Sequence, residues 1–196
     1  MTFVIGLTGS IGMGKSSTAE LFRQEGCAVW DADAAVHRLY SKDGAAIAPM
    51  AAQFPEAIVA GSVDRAVLKE IIASNGDALR VIEQIVHPLV AEDREGFLNS
   101  HQGEIVVLDI PLLFETGAAA TMDAVVVVSV DAETQRNRVL ERGTMTEAQF
   151  ETILAKQVPD AEKREGADYI VTTDTPEHAL AQVKSILAEI RGRIDA

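Results

Sequence analysis

The residues Gly9-Ser10-Ile11-Gly12-Met13-Gly14-Lys15-Ser16 carry the spacing G-x-x-x-x-G-K-[ST], in which each residue type serves a phosphate. Glycines let the backbone turn its amides inward with no Cβ in the way. A following helix adds the positive end of its dipole, and Lys15 brings a mobile ammonium to the outer phosphates. Ser16 offers a hydroxyl oxygen to magnesium, while Gly9, Gly12, Met13, Gly14 and Ser17 complete the expected cradle. Such a pattern also arises in chains that bind no nucleotide, so its flanks matter. Thr2–Thr8 is an apolar run rich in β-branched and aromatic side chains, and Ser17–Arg23 reads as helix. Strand, turn and helix follow in the required order, which points to a nucleotide-dependent enzyme.

Carboxylates stand where two further runs end. Trp30-Asp31-Ala32-Asp33 places two acids at a strand-to-helix change, and ligands of open α/β sheets sit beyond the carboxyl ends of strands. Asp33 could take the proton of an attacking hydroxyl, and Asp31 could cap the helix or hold magnesium's water; capping alone accounts for the pair equally well. Asp109 closes the run Val106-Val107-Leu108 and suits a metal's water shell, or simply a turn. Arg136, Arg138 and Arg142 follow the fourth strand on a segment flanked by Gly143. Arg138 and Arg142, four apart, can act together on charge developing in a closed site, whereas Arg136 reads as solvated surface.

These groups need a scaffold, and the hydrophobic pattern supplies one. Strand-length apolar runs recur at Val4–Leu7, Ala28–Trp30, Ile105–Ile110, Ala124–Val130 and Tyr169–Val171, with amphipathic segments between them. That alternation predicts an α/β fold, a parallel sheet between helices. Val125–Val128 is continuously apolar, as a central strand buried on both faces should be. From about Ala32 to Gln102 no strand is evident, only helical patterns such as Val67–Ile72 and Leu79–Val86, punctuated by Pro55, Gly61, Gly76 and Pro88. This reads as a helical insertion on the sheet edge. Pro176 opens a last amphipathic helix through Leu180, Val183, Ile186, Leu187 and Ile190.

A formal charge of −13 argues against nucleic acid as a partner, while leaving room for a small phosphorylated ligand in a locally positive cleft. The single cysteine, Cys27, begins an apolar run and reads as a small buried side chain rather than a nucleophile. No stretch has the length of a membrane span and no secretory signal opens the chain, so a reducing cytoplasm is the default expectation. No obligate protein partner is evident.

Taken together, the landmarks resemble one family, the dephospho-coenzyme A kinases. The resemblance is carried by Leu7–Ser16, by Asp31-Ala32-Asp33 with Arg38, by His87-Pro88 and by Pro111-Leu112-Leu113-Phe114-Glu115. Further along it is carried by Arg138, Arg142, Gln157 and Ala167-Asp168-Tyr169. It implies a P-loop three-layer αβα fold with a five-stranded parallel sheet, in a single kinase domain. The core would span about 1–31, 103–135 and 167–196, with a helical coenzyme-A-binding insertion at about 32–102 and a lid at about 136–166. The implied reaction is ATP-dependent phosphorylation of the ribose 3′-hydroxyl of dephospho-CoA, with Mg2+. Carried over, Asp33 is the base, Lys15 and the loop amides hold ATP, Arg142 is the lid arginine with Arg138 beside it, and Ser16 with Asp109 serves the metal. Arg38, His87, Leu112 and Glu115 lie toward dephospho-CoA, and Phe54 and Leu113 line a pantetheine path or pack the core. Capping a helix begun by Pro88, or a buried hydrogen bond, accounts for His87 equally well.

The chain departs from the family pattern in three places. In the loop, Ser10 and Met13 replace residues that are more often small; neither need block the backbone cradle, although Met13 is bulky and its side chain must turn away from the phosphates. Thr172-Thr173-Asp174 stands where many members place an asparagine, and Gly143 where an acid is frequent. Rival readings are a kinase of another small hydroxyl acceptor and a nucleotide-dependent switch. The switch lacks an N/T-K-x-D motif, and its D-x-x-G match, Asp93–Gly96, falls inside a predicted helix. A zinc hydrolase is weaker still, because His37, His87, His101 and His178 are scattered.

Overall fold

The computed structural model describes residues 2–195. In chain order the elements begin with Phe3–Thr8 (β1), Lys15–Gln24 (α1), Ala28–Asp31 (β2), Ala32–Tyr40 (α2) and Ile47–Gln53 (α3). Ile58–Val59 (β3), Ser62–Val63 (β4), Arg65–Ser74 (α4) and Ala78–Ser100 (α5) follow. The chain continues with Ile105–Asp109 (β5), Ala124–Ser129 (β6), Ala132–Glu141 (α6), Glu147–Leu154 (α7) and Asp160–Glu165 (α8). It closes with Tyr169–Thr172 (β7) and Pro176–Ile194 (α9). Two compact units result, one from the chain up to Trp30 together with His101 onward, the other from Asp31–Ser100.

The first unit holds the expected five-stranded sheet, in the order β2-β5-β1-β6-β7, with β1 at its centre. β1 pairs in parallel with β5, Leu7 beside Asp109, and with β6, Thr8 beside Val127. The loop after β1 therefore starts level with the ends of both neighbours. β6 is buried along its whole length, and its valines alternate between two cores. Val126 and Val128 join Ile5, Leu7, Phe22 and the α9 stripe of Val183, Leu187 and Ile190, while Val125 and Val127 pack with Leu113, Phe114 and Met122. Burial of each such side chain stabilises the fold by roughly 1.5–3 kcal/mol. Pro176 sits in the first turn of α9 behind the N-cap Thr175, as its missing N–H permits.

The second unit is mostly helical and has its own core of Leu39, Met50, Phe54, Leu68, Ile82 and Val86. Two features differ from the sequence expectation. A short antiparallel hairpin, β3 with β4, interrupts the helices where no strand was expected. Its turn residues Ala60 and Gly61 both take positive φ, 51° and 81°, as two-residue hairpin turns require. Two-residue strands are too short to show alternation, which is why the pattern hid them. Pro88, read as punctuation, lies inside the 23-residue α5. An interior proline costs about 3 kcal/mol; the apolar face of Ile82, Ile85, Val86, Leu89 and Val90, packed in the unit's core, offsets it.

Candidate active site

The glycine loop fills the gap between β1 and α1. Gly14 is the N-cap of α1 with φ of 93°, a backbone only glycine adopts freely, and no side chain caps the helix. The first turn of α1 also lacks an acid. Its leading amides and dipole are thus left for an anion. Ser16 and Ser17 are exposed there. Met13 turns away from the loop's open side, as its bulk demands: it is 3% exposed in the core, and its sulfur accepts from the Val130 amide at 3.2 Å.

Lys15 reaches back along the sheet and its ammonium pairs with Asp109, a carboxylate buried at the end of β5. The segment after β5 is fastened to β1. Ile110 donates to the Leu7 carbonyl at 3.0 Å, and the Thr8 hydroxyl donates to the Pro111 carbonyl at 3.1 Å. Leu113 is fully buried and packs in the core, Leu112 is 44% exposed, and Glu115 is held rather than free. Glu115 accepts from the Val158 amide at 2.9 Å, and the Lys163 ammonium, wholly buried, lies 3.0 Å away as an ion pair without hydrogen-bond alignment. Burial pushes the Glu115 carboxyl up, but Lys163 and the Val158 amide outweigh it and hold it below the usual range. The Cys27 thiol is pushed up to about 11 by burial, so it is no nucleophile at neutral pH.

Arg138 and Arg142, on and just past α6, line one cleft of about 490 Å³ with Gly14, Ser17, Thr18 and Thr173. Arg138 donates through Nη1 to the Thr173 hydroxyl and through Nη2 to its carbonyl, at 2.9 and 2.5 Å. The same hydroxyl donates to the Met13 carbonyl at 2.7 Å, tying the segment after β7 to the loop. Arg142 is the exposed C-cap of α6, with Gly143 in the left-handed region ending the helix behind it. Arg136 pairs with Glu147 on the surface, as its spacing suggested. The following helix, α7, ends at Leu154, three residues before Gln157.

In the helical unit Asp31 caps α2, accepting from the Ala34 amide at 2.9 Å. Asp33 stands in the first turn, exposed and with no hydrogen-bond partner among the described residues, so capping accounts for Asp31 only. Arg38 forms a forked contact with Asp93 at 2.6 and 3.3 Å. His87 is exposed in mid-helix, which removes both the cap and the buried hydrogen bond as its role. Phe54 is 6% exposed and packs in this unit's core.

Sequence reasoning gave no structural role to four side chains. Thr173 ties the loop to Arg138, and Gln135 and Gln157 bond to Ile11 inside the loop. Lys163 is the buried partner of Glu115. One signal was readable: Gln135 precedes the buried Val139 by four residues, so it shares the inward face of α6.

A central strand, an uncapped glycine turn, a lysine pairing with the acid of the neighbouring strand, and two arginines over one cleft define a P-loop phosphotransferase. The dephospho-CoA kinase family model matches residues 3–178. A dephospho-CoA kinase of Ruegeria pomeroyi is 62% identical over the whole of both chains. One of Cereibacter sphaeroides is 56% identical, covering 99% of this chain and 98% of its own. A solved Thermus thermophilus protein, 32% identical, superposes with a TM-score of 0.85 over 96% of this chain and 97% of that one. The chain belongs to the dephospho-CoA kinase family, and it is an ATP-dependent kinase acting on a hydroxyl group.

Proposed function

We propose that this chain passes the γ-phosphoryl group of ATP to the ribose 3′-hydroxyl of dephospho-CoA, completing coenzyme A, with the residue roles that follow. The observation that carries them is the uncapped start of α1 beside Lys15, a ready anion site at the end of the central strand. Gly9, Gly12, Met13, Gly14, Lys15, Ser16 and Ser17 cradle the phosphates, chiefly through backbone amides. Arg142, exposed over the cleft, supplies mobile positive charge to the transferred group, and Arg138 braces the nucleotide side through Thr173. Asp33 is the base: an exposed carboxylate free of internal partners can accept a hydroxyl proton.

Arg38, His87, Leu112 and Glu115 serve the dephospho-CoA side, Glu115 as part of a fixed wall. Magnesium suits the donors here, since the exposed Ser16 hydroxyl and the Asp109 carboxylate are hard oxygens. When bound it supplies positive charge against the triphosphate. The transition state of phosphoryl transfer is loose, so positioning and charge do most of the work. Among the described residues no helix is long and apolar enough to cross a membrane.

The test is a coupled ADP-release assay with purified protein, magnesium and ATP, comparing dephospho-CoA with adenosine and shikimate. ADP release that depends on dephospho-CoA is expected. Equal release with the other acceptors, or release independent of any acceptor, overturns the assignment.

A further inference from the structure

The donors of a phosphate loop work only if their peptide planes are turned the right way, and two glutamines bracket a single peptide-bearing residue of this loop. The Ile11 amide donates to Gln157 Oε1 at 3.1 Å, and Gln135 Nε2 donates to the Ile11 carbonyl at 2.7 Å. Gln135 is 4% exposed, a buried amide that bonds to the loop. Gly12, the next residue, has φ of 80°, and a Cβ there would meet Val139 Cγ2 at 2.5 Å and the Gln135 carbonyl at 3.0 Å. α6 is therefore pressed against the outside of the loop.

In a planar trans peptide the carbonyl of one residue and the amide of the next point in opposite directions. No peptide among the described residues is cis. Holding the Ile11 carbonyl outward on Gln135 turns the Gly12 N–H the other way. Thr173 does the same two peptides further on, by holding the Met13 carbonyl and so turning the Gly14 N–H. The Ile11 N–H, tied to Gln157, is withdrawn from the donor set, and the Met13 N–H is spent on the Ser10 carbonyl at 3.1 Å. The Gly12 and Gly14 amides, by contrast, have no protein acceptor among the described residues.

We propose that Gln135 and Gln157 are positioning residues that set the peptide planes of the phosphate loop, aiming the Gly12 and Gly14 amides at the nucleotide. Gln157 lies between α7 and α8, in the segment assigned to the lid, so the loop's donor geometry is set partly from there. The inference deepens the proposed function by naming what fixes its nucleotide grip.

Hydrogen-bond direction makes the test specific. Position 157 needs an acceptor and position 135 a donor, so glutamate can replace the first and not the second. Both carboxylates would add the same charge against the two peptides that flank one residue, Ile11, and their contrast isolates direction. The variants are Gln157→Glu, Gln157→Met, Gln135→Glu and Gln135→Met. The readouts are ADP affinity by calorimetric titration, KM for ATP against kcat, and the melting temperature. ADP binding needs no acceptor, so a failure of the dephospho-CoA assignment would leave this result standing. Gln157→Glu is expected to bind ADP about tenfold more tightly than Gln135→Glu, and both Met variants to lose about tenfold in ADP affinity, the scale of one unmade hydrogen bond. KM for ATP should move with these values while the variants stay folded. Equal ADP affinity of the two Glu variants, or parental affinity in both Met variants, overturns the proposal. If Gln135→Glu does not fold, the Gln157 pair decides it: Glu no better than Met overturns it.

Discussion

Arg138 grips Thr173 at two points, hydroxyl and carbonyl, and the gripped hydroxyl is itself bonded to Met13 inside the phosphate loop. Three segments distant in sequence thus meet at one oxygen that is both donor and acceptor. Thr173→Val keeps the shape and deletes that oxygen. We expect a loss of about 1–3 kcal/mol in unfolding free energy from the unmet partners, together with a raised KM for ATP. Denaturant titration and steady-state kinetics check both, and parental values in both would strip the contact of its importance.

The ion pair of Lys15 with Asp109 should be coupled thermodynamically before any nucleotide binds. In a double-mutant cycle with Lys15→Met and Asp109→Asn, the unfolding free energies should show an interaction of about 1–3 kcal/mol. Lys15→Met should also lose most turnover, since no other group replaces its ammonium. A cycle that sums to zero would make the pair incidental.

Asp33→Asn separates chemistry from binding. The side chain is exposed and has no internal hydrogen bond, so stability and ATP affinity should be unchanged. Turnover should fall by ~10²–10⁴, the usual share of a general base. Parental turnover in this variant would remove Asp33 from the mechanism.

Glu115 gives the fold an acid-sensitive joint. Its folded pKa lies below the unfolded value, so its contribution is complete above that value and is lost as pH falls through the folded one. The stability gap between the parent and Glu115→Gln should therefore be widest at neutral pH and close progressively below about pH 4.3, the unperturbed glutamate value. In Lys163→Met the desolvation of Glu115 remains while its cation is gone. The acid dependence should flatten or reverse in that variant, with a large loss of stability at pH 7. Urea titrations across pH 3–7 read both curves.

Cys27 should resist alkylation in the native state. With its thiol pushed up to about 11, almost none is thiolate at pH 8. Iodoacetamide should label the unfolded protein and spare the folded one; rapid labelling of the folded form would contradict the burial.

The features legible in the sequence were those written in local patterns. The glycine loop, the five strands and the helix opened by Pro176 each announce themselves within about ten residues. Strand order did not, because β5 enters between β2 and β1 only through a long crossover. The β3–β4 hairpin is shorter than the period that would reveal it, and Pro88 misled because packing overrode a local rule. In the site, the loop was readable to the residue, whereas its supports were not. Thr173, Gln135 and Lys163 are polar residues with no motif of their own, Gln157 is a landmark whose position alone names no partner, and only tertiary contact gives the four their roles.

The central position of β1 has a consequence for synthesis on the ribosome. The strand that leads into the phosphate loop is made well before both strands that flank it, β5 and β6, which emerge only about a hundred residues later. Until then its two edges lack their lasting partners, and the intervening helices, with a core of their own, can assemble first. The nascent chain must therefore keep this apolar strand out of wrong pairings while it waits.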